Sequence, residues 1–194
     1  MFQMSSVSDR GRRADAVRNR RLALEAAIEL LREPGATLTV EAIAKKAGLG
    51  VGTVVRAFGS KDALLDAAVA GLLQPIVDRA QHLLATEKPE NALRTFLAEL
   101  MAFQAEHQAI GDQLRGLELP ATTALRAELT QTVKKMLAKA RRTGTVRGDI
   151  RPAILGALIA ETAFSLARAG ASRQHIDAYL TVLMDGLRPQ PARP

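Results

Sequence analysis

Six arginines crowd the start of the chain, Arg10, Arg12, Arg13, Arg18, Arg20 and Arg21, separated only by short polar or small residues. A guanidinium presents a planar fork of donors that pairs well with phosphate, so such a cluster suits a polyanion. Lys61 follows a Gly59-Ser60 turn and opens a helical pattern, where an ammonium and a helix N-terminus together can clamp a phosphate. The net charge of +7 is unevenly placed: residues 1–61 carry 11 Lys/Arg against 6 Asp/Glu, and residues 62–194 carry 16 against 14. A solvated basic tail would have the same composition. Other chemistries find little support. The three histidines, His82, His107 and His175, lie far apart, without HxxxH spacing or a carboxylate beside them on a helix face. There are no cysteines, which excludes disulfides, thiolate metal sites and cysteine nucleophiles and fits a reducing cytoplasm. GLGVG at residues 48–52 lacks the preceding strand and third glycine of a dinucleotide loop. No catalytic residue, metal or cofactor is expected, and an enzyme is the weakest reading.

The element that must carry this charge is Thr39 to Phe58, TVEAIAKKAGLGVGTVVRAF. Val40, Ile43, Ala44 and Ala47 recur at helical spacing behind Thr39, a natural N-cap; Val51, Val54 and Phe58 continue a helical face after the turn. Ala44 permits a close helix crossing, and Gly48 can take the positive φ of a sharp turn. Ala44, Gly48 and Val54 thus have helix-turn-helix spacing, with an ordinary αα-hairpin as the alternative. Before it, a helix is expected from about Asp15 to Glu33, with Val17, Leu24, Ala27, Ile28 and Leu31 inward and Pro34-Gly35 as breaker. Residues 1–14 are expected to form a mobile basic arm. Behind it, Ser60 can cap a helix running through Leu64, Leu65, Ala68, Leu72, Ile76, Ala80 and Leu83. Pro75 crowds the carbonyl of Gly71, so a kink or break is expected between residues 71 and 75.

The remainder is helical throughout, giving an all-α chain of about nine helices: a three-helix domain over residues 15–60, a larger one over 61–187, and a disordered tail from 188 to 194. Helices are expected from Pro89 to about Glu106, from Thr122 or Thr123 to just before Gly144, from Pro152 to about Ala169, and from Arg173 to Leu187. The last two are more apolar than a monomer of this size needs to cover. A two-fold interface of Leu158, Ile159, Phe164, Ile176, Tyr179, Leu180, Leu183 and Leu187 is the simplest sink. A ligand pocket among residues 61–170 would be mainly aliphatic, lined by Phe96, Leu100, Met101, Phe103, Leu129, Val133, Met136 and Phe164, with Gln104, His107 and Gln113 as polar candidates. No apolar run approaches the roughly 20 residues needed to span a bilayer, and the N-terminus has no apolar signal core. The expectation is a cytoplasmic protein without a membrane partner.

AVRNRRLALEAAIELLREPG followed by TVEAIAKKAGLGVGTVVRAFGSKDALL resembles the TetR family of transcriptional regulators, over about residues 14–70. GTVRGDIRPA, before the penultimate long helix, looks like a loop common in that family. The resemblance implies a three-helix DNA-binding domain, a helical regulatory domain that dimerises through its last two long helices, and a helix after the turn that enters the major groove. It implies that Gly50, Val51, Gly52, Thr53, Val55 and Arg56 face double-stranded DNA, and that Thr39 and Lys61 hold phosphates; Arg12 and Arg13, read from the charge of the arginine cluster, would add to them. The function it implies is a homodimeric repressor that a small hydrophobic or amphipathic ligand releases from a near-palindromic operator. The family usually has an aromatic, most often tyrosine, where Val55 stands, and often a histidine or aromatic where Ala57 stands. That departure keeps open a TetR-like helical dimer with weak or lost specific DNA binding that acts through a protein partner.

Overall fold

A computed structural model describes residues 5–33, 35, 37–107 and 117–189, apart from the side chains of residues 5–10, Phe164, Ala167 and Arg168. Eight helices and no strand occur among them: α1 (Ser5–Arg32), α2 (Val40–Ala47), α3 (Val51–Phe58), α4 (Lys61–Thr86), α5 (Pro89–Glu106), α6 (Pro120–Arg142), α7 (Pro152–Arg168) and α8 (Arg173–Leu187). The chain divides into two compact units, Met1–Leu73 with Ala109–Thr123, and Gln74–Gln108 with Ala124–Pro194.

In the first unit α1, α2 and α3 pack on one another in pairs. α1 offers Ala23, Ala26, Ala27 and Leu31, α2 offers Val40, Ile43 and Ala44, and α3 offers Val54 and Phe58, all buried. The alanines of α1 keep the crossings short. α1 begins at Ser5, so Arg12 and Arg13 stand on helical turns and not on an irregular arm. Val17, expected inside, is 69% exposed. It lies more than a turn before Ala23, the first buried residue described on α1. Lys46 ties α2 to α1 through Glu29 at 3.2 Å and Glu33 at 2.8 Å, and these hydrogen-bonded carboxylates raise its pKa.

α4 runs unbroken through Pro75, so of the kink or break expected there, the break does not occur. Gly71 has a different task from the one its place four residues before proline suggests. A Cβ on it would lie 2.7 Å from Ile28 Cδ1, so the glycine lets α4 and α1 approach closely. Leu64, Leu65, Ala68, Val69 and Leu72 of the same helix are buried, which explains why this unit extends to Leu73. Asp66 is buried with them. Its carboxylate accepts from Ala121 N (2.8 Å), Thr122 N (2.9 Å) and Thr122 Oγ1 (2.7 Å), and so caps α6 from another helix. The sequence expectation of Thr122 or Thr123 as a self-cap fails because α6 starts two residues earlier, at Pro120. Desolvation pushes the Asp66 pKa up, but the three hydrogen bonds outweigh it and the net direction is down.

The second unit is built round Phe96, Leu93, Leu97, Met101, Met136, Leu137, Ile159 and Leu180, with α5 packed on α7 and α8. Pro89 opens α5 at its first position, where no backbone donor is lost. The α6–α7 loop is pinned to the end of α8. Arg147 N donates to Leu187 O at 2.7 Å and its Nη1 donates to Gly186 O at 3.2 Å. Its Nε and Nη2 also donate to Asp149 Oδ1 and Oδ2, at 2.7 and 2.6 Å, holding that carboxyl at about 2. The loop motif GTVRGDIRPA therefore closes the orphan carbonyls of α8.

Candidate nucleic-acid interface

The geometry of the helix-turn-helix follows from three local devices. Thr39 Oγ1 accepts from Ala42 N at 3.1 Å, and this lone-pair bond leaves its hydroxyl proton available to a phosphate. Gly48 sits at φ 65° and ψ 32°, with Leu49 N bonded to Ala44 O at 2.9 Å and Gly48 N to Lys45 O at 3.3 Å. That pair of bonds is a Schellman ending, which turns the chain sharply into Gly50. At the far end Arg20 reaches from α1, donates to Ala57 O, and covers the Phe58 ring at 4.1 Å. Arg20, read from sequence as part of the basic arm, is thus committed to holding the carbonyl end of α3. Nothing in its spacing distinguishes it from the arginines around it.

With Val54 and Phe58 turned inward, α3 presents Val51, Gly52, Val55 and Arg56 outward, with Gly50 just ahead of them; Thr53 is half-buried. Arg56 Nη2 lies 3.5 Å from Thr53 Oγ1, and its guanidinium lies over Gly52. Arg12 and Arg13 are exposed on α1. Lys61, also exposed, is the first residue of α4, beside the cap that Ser60 Oγ makes with Ala63 N at 3.0 Å. All ten residues read from sequence as DNA-facing belong to the first unit.

The residues read as a ligand pocket separate into kinds. Phe96, Met101 and Met136 are fully buried core; Leu100, Leu129 and Val133 pack against that core partly buried. Gln113 and the side chain of Phe164 lie outside the described residues. Gln104 and His107 differ from the rest: Gln104 Oε1, on α5, and His107 Nε2, on its C-cap residue, are both buried without a hydrogen-bond partner among the described residues. His107 Nδ1 faces Phe103 O at 2.9 Å and so must donate, which leaves Nε2 an acceptor in the neutral ring. The Phe103 ring stacks on it at 4.4 Å.

Residues 23–68 match the model of bacterial regulatory proteins of the tetR family, and residues 88–189 match the model of the transcriptional regulator SbtR-like C-terminal domain. A solved TetR transcription regulatory protein from Mycobacterium vanbaalenii is 35% identical, with a TM-score of 0.63, over 91% of this chain and 98% of that one. This chain belongs to the TetR family of transcriptional regulators. A TetR regulator from Streptomyces coelicolor is 28% identical over 89% of this chain and 99% of its own, with a TM-score of 0.64. FadR from Bacillus subtilis, solved with stearoyl-CoA, shares the fold at 18% identity and a TM-score of 0.70, over 87% and 99% of the two chains. No curated protein sequence matches the chain.

Within this TetR-family chain, the residues read as a dimer interface differ in burial. Ile159, Ile176, Leu180 and Leu187 are buried in their own chain's core. Tyr179 and Leu183 pack partly buried against that core, Tyr179 also pairing with Thr162 Oγ1. Leu158 alone of the described set is exposed, at 56%, accompanied by Ile154 at 42% and Val182 at 73%. Apolar periodicity marks both faces of such helices alike and cannot assign one to the chain's own core. Among the described residues no helix is long and apolar enough to cross a membrane.

Proposed function

We propose that this TetR-family regulator is a homodimeric repressor that a small amphipathic ligand releases from a near-palindromic operator. The observation that carries the DNA half of the reading is the outward face of α3, flanked by Thr39 and Lys61 and presenting Arg56 beside two glycines and two valines. Arg12 and Arg13 add sequence-independent affinity from α1. Leu158, Ile154 and Val182 support a two-fold contact, since exposed large apolar groups on two neighbouring helices favour burial by a second copy. In such a dimer the two reading helices would sit one DNA turn apart, roughly 34–36 Å.

Gln104 Oε1 and His107 Nε2, buried without a partner among the described residues, support a ligand that donates hydrogen bonds at one end and is apolar elsewhere, since buried acceptors are costly until something donates to them. The ligands in the names of similar proteins, such as stearoyl-CoA with FadR, belong to those proteins. Release needs a coupling of only about 1–3 kcal/mol between ligand and DNA.

A gel shift of the full chain on its own upstream DNA, with salt titrated, tests the reading. A discrete complex preferred over scrambled DNA is expected. A steep salt slope without preference for that DNA would instead favour action through a protein partner.

A further inference from the structure

We infer that Val51 and Val55 are specificity residues that read the C5-methyl groups of thymines in the major groove. The inference rests on the DNA-binding reading above and adds what sequence feature the reading head prefers.

The exposed face of α3 is chemically sparse. Val51 is 42% exposed and Val55 39%, whereas Val54 is fully buried and Phe58 nearly so. Arg56 is the one charged side chain on the helix, and the Thr53 hydroxyl is already within reach of its guanidinium. The face therefore offers one hydrogen-bonding fork and two aliphatic groups. Val51 and Val55 are four residues apart, so they are neighbours on one helical stripe. Branching at Cβ leaves each essentially one rotamer in a helix, so the methyls are held before DNA arrives. Gly50 and Gly52 carry no side chain to keep base edges away, and only the mobile end of Arg56 lies over Gly52.

Each base pair shows polar atoms in the major groove, and the thymine methyl is the one apolar feature there. A valine pressed against a cytosine amino group or a guanine carbonyl strips water from it and returns no hydrogen bond. Against a thymine methyl the same valine buries apolar surface at no such cost. The short helix thus selects thymine by attraction and disfavours G·C pairs by desolvation, with Arg56 placed to take a guanine edge or a phosphate beside that stripe.

The test uses the full chain. Its preferred duplex is selected from a randomised library, and each thymine is then replaced singly by deoxyuridine, which removes the methyl and nothing else. Binding is read by fluorescence anisotropy at fixed salt. One or two positions per half-site are expected to weaken by roughly fourfold per methyl, with no change outside the reading helix. Val51→Ala and Val55→Ala should each abolish the deoxyuridine penalty at one position, and Arg56→Ala should leave both penalties in place. A preferred duplex in which no deoxyuridine matters overturns the inference, as does a penalty that survives in both alanine variants. Salt-dependent binding with no preferred duplex also overturns it while leaving DNA binding intact. Absence of any binding at low salt removes the DNA-binding reading itself. The deoxyuridine series needs only the unaltered chain, so it decides even where an alanine variant fails to fold.

Discussion

One guanidinium, that of Arg20, does two things for the reading helix: it supplies a donor to the Ala57 carbonyl at the end of α3 and covers the Phe58 ring. Arg20→Ala is expected to lower unfolding free energy by about 1–2 kcal/mol, from one hydrogen bond and one cation–π interaction, in urea titrations. Neutralising Arg12 and Arg13 should instead weaken binding to every duplex alike. The slope of log affinity against log salt should fall by about 0.9 for each phosphate that the variant no longer neutralises. Arg56→Ala should change which duplex is preferred more than how steeply salt acts. A second residue-scale test concerns Asp149, whose carboxyl Arg147 holds at about 2. A carboxyl resonance of Asp149 should titrate near that value and return to the ordinary carboxylate range in Arg147→Met.

Among the elements, α4 carries two features that periodicity does not reveal. Asp66 caps α6 from a distance of 56 residues along the chain, and Gly71 admits Ile28. Asp66→Ala leaves the amides of Ala121 and Thr122 unpaired and should cost about 1–3 kcal/mol. The dependence on pH has a definite sign. The folded carboxyl titrates below its ordinary value, so its stabilisation is complete above about pH 4 and is lost as pH falls through the ordinary and then the lower folded value. The stability gap between the parent and Asp66→Asn should therefore narrow below about pH 4 in denaturant melts. For Gly71→Ala, the added Cβ meets Ile28 Cδ1, so Ile28→Val should relieve part of the destabilisation. A double-mutant cycle should return coupling of about 0.5–3 kcal/mol; strict additivity would remove the close-approach explanation for the glycine.

For the molecule as a whole, the exposed apolar groups on α7 and α8 set the proposed assembly. Leu158→Glu should convert a dimer into a monomer in sedimentation and leave helix content unchanged, because Leu158 is already exposed in its own chain. Ile159→Glu, at a site 2% exposed, should unfold the chain instead. The contrast between adjacent residues separates interface from core, which apolar spacing alone does not.

From its sequence the chain determined its helices and its family, because caps, breakers and the 3.6-residue period are local and leave their mark in neighbouring residues. Thr39, Gly48 and Ser60 all serve the termini their types suggest. The outward face of α3 came from the family resemblance and not from its period: Val51, read with Val54 and Phe58 as one apolar face, is 42% exposed while the other two are buried. Contacts between residues far apart in sequence were decided only by the tertiary structure. Arg20 has the same spacing as the arginines around it but lies over Phe58, Gly71 was read only through Pro75 but admits Ile28, and no local signal marks Asp66 as the cap of a distant helix. The division of α7 and α8 into Ile159 inside and Leu158 outside is of the same kind. An apolar side chain carries no record of which surface will cover it; that is settled by the elements packed against its own helix.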